Sequence, residues 1–92
     1  MNRSQLHIYY SGRVQGVGFR YAVVKLAAGY EVTGFIRNGS DGRVELAAEG
    51  TKDELEAFRR AIQDCEVERF IRNEEAGWSE ATGEFRGFEI VR

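Results

Sequence analysis

Apolar and polar residues alternate over Leu6-His7-Ile8-Tyr9-Tyr10, which puts Leu6, Ile8 and Tyr10 on one face of a strand. The period then changes. From Phe19 to about Ala28, Val23, Val24, Ala27 and Ala28 recur at helical spacing, and Gly29 supplies a stop. Glu31–Asn38 and Arg43–Glu49 predict two further strands, joined by Gly39-Ser40-Asp41-Gly42, whose residue types suit a tight hairpin turn. Thr51-Lys52-Asp53-Glu54 predicts a capping box, in which Thr51 accepts from a backbone N–H and Glu54 reaches back. The helix it opens aligns Leu55, Phe58, Ile62 and Cys65 on one stripe. Val67 to about Arg72 predicts a fourth strand. A polar loop from about Gly77 to Gly83, holding Trp78, then leads to a last strand containing Phe88 and Ile90.

The predicted order is β-α-β-β-α-β with one more terminal strand. That is an α+β, ferredoxin-like split-βαβ arrangement: an antiparallel sheet with an additional C-terminal strand and two helices on one face. A chain of 92 residues has room for one core, and no repeat or linker interrupts it, so residues 1–92 read as a single domain. The architecture hosts many unrelated functions and selects none of them.

Composition narrows the classes. A net charge of −2 disfavours nucleic acid and membrane surfaces, which call for a basic field. The lone Cys65 forms no internal disulfide, and neither a membrane-length apolar run nor a signal-peptide core is present; a cytoplasmic monomer is the default expectation. His7 alternates away from Leu6 and Ile8, as a surface histidine does, and Cys65 lacks companions for a zinc site, so no metal and no cofactor are expected.

The segment that carries chemistry is Gly12-Arg13-Val14-Gln15-Gly16-Val17-Gly18-Phe19-Arg20, between a strand and a helix start. Glycines let backbone N–H groups converge without a Cβ in the way, and a helix N-terminus adds partial positive charge. The two together suit a phosphate dianion, and Arg20 in the first helical turn adds a guanidinium. The motif G-x-x-x-x-G-K-[ST] is absent, and the dinucleotide fingerprint stops short because Phe19-Arg20-Tyr21 follow Gly18. A merely tight strand–helix turn is the competing reading.

The same nine residues resemble the signature of the acylphosphatase family at every position. A second family pattern, a glycine-aromatic-apolar-x-Asn strand followed by D-G-x-V-E, is matched by Gly34-Phe35-Ile36-Arg37-Asn38 and Asp41-Gly42-Arg43-Val44-Glu45. The similarity runs to Gly87-Phe88-Glu89-Ile90. It implies hydrolysis of the carboxyl–phosphate anhydride of a small acyl phosphate. Arg20 and the amides of Gln15, Gly16, Val17, Gly18, Phe19 and Arg20 would bind the phosphate, and Asn38 would orient the attacking water. The chain departs from the family in having Phe35 where tryptophan is frequent, in its Tyr30-Glu31-Val32 segment, and in lacking a proline near Asp64-Cys65-Glu66-Val67.

Two other readings compete. One is a non-catalytic phosphate-binding or regulatory domain of the same fold. The other is an RNA-binding sheet, but Arg43-Val44-Glu45-Leu46-Ala47-Ala48 offers no aromatic platform on the third strand. Asn38-Gly39 is in addition a pairing whose unhindered backbone favours deamidation.

Overall fold

A computed structural model describes residues 2–92; Met1 lies outside the described residues. The chain runs β1 (Ser4–Gly12), α1 (Phe19–Ala27), β2 (Thr33–Asn38), β3 (Val44–Gly50), α2 (Lys52–Asp64), a 3-10 turn (Glu66–Phe70), β4 (Ile71–Glu80) and β5 (Phe88–Ile90). The five strands form one sheet in the order β4-β1-β3-β2-β5. Alternation in β1 and β3 works as expected: Leu6, Ile8 and Tyr10 share a buried face with Val44, Leu46 and Ala48. Onto that face α1 lays Phe19, Val23 and Ala27, and α2 lays Leu55, Phe58 and Ile62. Each of the larger of these side chains, such as Val23, Leu55 or Phe58, contributes about 1.5–3 kcal/mol when removed from water, which is what holds two helices against one sheet face.

Several expectations are corrected. The sheet is mixed, because β5 lies parallel to β2, with Gly34 opposite Phe88 and Ile36 opposite Ile90. The segment expected as a strand from Val67 is instead the 3-10 turn, and β4 begins only at Ile71. Val67, Phe70 and Ile71 are spaced i, i+3, i+4, a helical period, so alternation was never available to them. Of the polar loop expected from about Gly77 to Gly83, the part through Trp78 to Glu80 is the end of β4, and only residues 81–83 lie outside it. As an edge strand it leaves both faces largely exposed, and its polar sequence concealed it. In α1 the buried stripe omits Ala28, which is the exposed C-cap, and Cys65 follows α2 as its C-cap instead of lying in its stripe.

Half of the capping box forms. Thr51 Oγ1 accepts from the Glu54 N–H at 3.3 Å, while the Glu54 carboxylate accepts instead from the Glu31 N–H at 2.7 Å and so ties α2 to the start of the β2 connection. On the helix-free face Glu49 is fully buried under the chain that returns from β4 to β5. Its carboxylate accepts from Gln5 Nε2 (2.7 Å), the Thr82 N–H (2.8 Å), the Thr82 hydroxyl (3.0 Å) and the Gly83 N–H (3.0 Å). No helix among the described residues is long and apolar enough to cross a membrane.

Candidate active site

Strands β1 and β2 run in the same direction, each antiparallel to β3 between them, so their C-terminal ends share one edge of the sheet. The Gly12–Arg20 segment leaves the first and Asn38 ends the second. Two apolar side chains pin the segment at either end: Val14 and Phe19 are both buried, and the Phe19 ring packs 5.2 Å from that of Tyr10. Between these pins Gly16 (φ 78°) and Gly18 (φ 82°) take left-handed conformations that a side chain resists. A Cβ built on either would meet nothing, so the demand for glycine here comes from the backbone turn.

That turn brings the chain into α1 with its N-terminus open. Gly18 is the N-cap, no side chain among the described residues caps the helix, and no acidic residue stands in its first turn. The orphan N–H groups and the positive end of the helix dipole therefore face the glycine segment unneutralised. Arg20 lies in that first turn, half-buried, and takes no part in any of the ion pairs among the described residues. An arginine without a counter-charge in the first turn of a helix whose leading amides are uncapped is a combination suited to a tetrahedral oxyanion.

Asn38 shares its strand face with buried Gly34 and Ile36, which is the helix-covered side. Its Oδ1 is buried and has no hydrogen-bond partner among the described residues. Buried polar atoms are almost always paired, so a carboxamide oxygen left open at a strand end is a candidate ligand contact. The hairpin that follows is closed by its own hydrogen bonds. Gly39 N–H donates to the Arg43 carbonyl at 2.7 Å, and Gly42 N–H to the Gly39 carbonyl at 3.3 Å. Asp41 accepts from the Arg43 N–H (3.1 Å) and guanidinium (2.7 Å), and these two bonds hold its carboxyl below the usual range.

One contact joins the two halves. Gln15 Nε2 donates to the carbonyls of Gly39 (2.8 Å) and Arg43 (3.0 Å), fastening the glycine segment to the two residues that close the hairpin after Asn38. Sequence reasoning valued Gln15 for its backbone amide alone; its partners lie 24 and 28 residues away, and no local signal announces them. The hollow that Asn38 lines, of about 340 Å³, opens with Tyr9, Arg37 and Glu45 on the helix-free face and includes nothing from Gly12–Arg20. In it Glu45 bridges His7 (2.7 Å) and Arg37 (2.5 Å). Burial pushes its carboxyl up, but these two hydrogen bonds outweigh burial and bring it below the ordinary value. No group of three or more His, Cys, Asp or Glu side chains suited to a metal ion occurs among the described residues.

Known proteins with the same pattern exist. The acylphosphatase family model matches residues 6–90. An acylphosphatase of Salinibacter ruber is 42% identical over 82 residues, covering 89% of this chain and 86% of that protein. One from Pelotomaculum thermopropionicum is 39% identical over 91 residues, covering 99% of each. The crystal structure of the Bacillus subtilis acylphosphatase superposes with a TM-score of 0.88 at 35% identity, over 97% of this chain and 99% of that one.

Proposed function

The chain belongs to the acylphosphatase family, and from that premise we propose that it hydrolyses the carboxyl–phosphate anhydride of small acyl phosphates, releasing a carboxylate and inorganic phosphate. In this reading the amides of Gln15 to Arg20 and the Arg20 guanidinium take the phosphate oxygens, and the Asn38 carboxamide aims water at phosphorus. The observation that carries it is the Gln15 fastening, because it fixes the anion-attracting segment against the hairpin that Asn38 begins.

The chemistry suits so short a cast. Phosphoryl transfer is catalysed chiefly by positioning and by compensating charge on the equatorial oxygens. The carboxylate leaving group has a conjugate acid of pKa about 4, so it departs as an anion and requires no general acid. A water O–H donated to the open Asn38 Oδ1 leaves a lone pair in line with the P–O bond to be broken. The second water proton passes to the phosphate itself. A phosphate monoester would leave as a strongly basic alkoxide, and nothing in this set of residues protonates it. Acyl phosphates are thus selected over ordinary esters.

Acetyl phosphate or benzoyl phosphate hydrolysis by the parent, Arg20→Ala and Asn38→Ala tests the assignment. Arg20→Ala should lose most phosphate affinity and rate. Asn38→Ala should lose kcat while inhibition by inorganic phosphate persists. Parent-like hydrolysis by both variants would refute the roles. A parent that binds phosphate without turnover would establish the non-catalytic alternative instead.

A further inference from the structure

We propose that the free edge of β4 pairs antiparallel with the same edge of a second copy of this chain, about a two-fold axis at Ala76, so that two five-stranded sheets become one. Composition led to the expectation of a monomer; the edge argues for a dimer. The proposal does not depend on the acylphosphatase reading.

β4 stands at the end of the strand order and, at ten residues, is the longest strand of the sheet. The opposite edge, β5, is three residues long, and so short an edge offers little to pair with. From Glu75 to Glu80 every residue of β4 is exposed. No backbone N–H or carbonyl of residues 72–80 is hydrogen-bonded outside the ladder with β1 among the described residues. In an antiparallel ladder alternate residues turn their backbone groups away from the neighbour, so β4 offers a row of open donors and acceptors. Two devices that commonly blunt such an edge are missing, since the chain has no proline and β4 has no lysine. A third is confined to the head of the strand, where Arg72 is the extra residue of a bulge opposite Ser11 and Gly12. What remains is charge, and the charges select a partner.

Glu74 accepts from Arg59 Nε and Nη2, both at 3.1 Å, and Glu75 lies 3.8 Å from Arg43 Nη1. Arg72 and Glu80 are the two charges of the strand that take part in none of the ion pairs among the described residues. Self-pairing allows few registers, because opposed residues share a face of the sheet. A centre at Glu74 or Glu75 sets that glutamate against its own copy, and a centre at Gly77 sets Glu74 against Glu80. A centre at Ala76 aligns residues 72–80, opposes no like charges, and brings each Arg72 to the Glu80 of the second copy. Centres nearer either end align at most five residues. In the Ala76 register small side chains lie at the axis, and Trp78 faces Glu74 of the second copy. Lys52 Nζ, 5.5 Å from the centroid of the Trp78 ring, adds a cation on that side.

Sedimentation equilibrium should give the mass of two chains at high protein concentration. A protein that stays monomeric up to about 1 mM overturns the proposal. Glu80→Arg sets arginine against arginine and should weaken the dimer about tenfold, because the change acts twice across the axis. Adding Arg72→Glu to Glu80→Arg restores opposite charges and should return the parent's affinity. A dimer indifferent to Glu80→Arg, or a double variant as weak as the single one, overturns this edge as the interface. The register is read by cysteine pairing in a Cys65→Ser background. Ala76→Cys meets its own copy with Cα atoms about 4.5–5.5 Å apart, within disulfide reach, whereas the two copies of Ser79→Cys lie about 20 Å apart. Mild oxidation should link the first variant into a covalent dimer and leave the second unlinked. The reverse, or no link in either, overturns the Ala76 axis.

Discussion

The carboxamide nitrogen of Gln15 donates to the carbonyl of Gly39 at 2.8 Å, across a gap that separates the glycine-rich turn from the residue after Asn38. Its second hydrogen goes to Arg43, the residue whose carbonyl already receives the Gly39 N–H. One side chain thereby sets the spacing between phosphate and water in the proposed reaction. Gln15→Ala keeps every backbone amide and removes only that spacing. We expect kcat to fall about 10- to 100-fold, because misplacing reacting groups by about 1 Å has that consequence, while inhibition by inorganic phosphate changes little. Gln15→Glu should do worse, since it turns a carboxylate towards two carbonyl oxygens. A purely stabilising role would leave kcat of the folded protein unchanged.

That contact marks the limit of what the chain discloses by inspection. Leu6, Ile8 and Tyr10 announce a half-buried strand because one face of β1 meets the core and the other does not. Leu55, Phe58 and Ile62 announce α2 for the same reason at another period. β4 announces nothing: at the sheet edge neither face is fully covered, so no selection for alternation acts on it, and Trp78 looks like a loop residue although it pairs with Leu6. Arg20 and Asn38 were legible as a local motif and a strand end. The Gln15 fastening and the Glu49 cage were not, because each joins residues distant in sequence and leaves no period behind.

Glu49 is a fully buried carboxylate satisfied by four donors, and it should dominate one part of the acid stability. Burial raises its pKa, but the Thr82 N–H, Gln5, the Gly83 N–H and the Thr82 hydroxyl outweigh that, so the folded value is depressed. A depressed folded pKa means stability that is complete above the unfolded value of about 4.3 and is lost as pH falls through the folded one. Glu49→Gln cannot titrate. The difference in unfolding free energy between parent and Glu49→Gln should therefore shrink from pH 7 to pH 3, as read by urea denaturation. Glu49→Ala should cost about 2–4 kcal/mol at pH 7 by leaving buried donors unpaired. A parent–variant gap independent of pH would show that Glu49 is not ionised in the cage.

Tyr10 makes the opposite case. Its hydroxyl is buried without a hydrogen-bond partner among the described residues, and burial pushes its pKa far above that of an exposed tyrosine. Removing an unpaired buried hydroxyl forfeits nothing, so Tyr10→Phe should leave stability unchanged or raise it by up to about 1 kcal/mol. In an absorbance titration the parent and Tyr10→Phe should ionise the same number of tyrosines up to the onset of alkaline unfolding. A folded-state loss of one titrating group in the variant would contradict the burial.

Asn38-Gly39 carries a chemical hazard that the hairpin suppresses. Deamidation begins when the Gly39 backbone nitrogen, having lost its proton, attacks the Asn38 side-chain carbon and expels ammonia. Water then opens the cyclic imide to a carboxylate. In the fold that N–H is committed to the Arg43 carbonyl at 2.7 Å, and the Gly39 carbonyl is held by Gln15 and the Gly42 N–H, so the nitrogen is neither free nor mobile. At mildly alkaline pH the folded protein should deamidate at Asn38 much more slowly than the same chain in urea, with Gln15→Ala in between, as followed by mass spectrometry of the peptide spanning the hairpin. Equal rates in the folded and unfolded protein would show that the hairpin gives no protection. Conversion also sets a carboxylate beside the phosphate held in the proposed site, so turnover of acetyl phosphate should decline in step with the modified fraction. Full activity after most of Asn38 has been converted would remove it from the reaction, whatever the fate of Arg20.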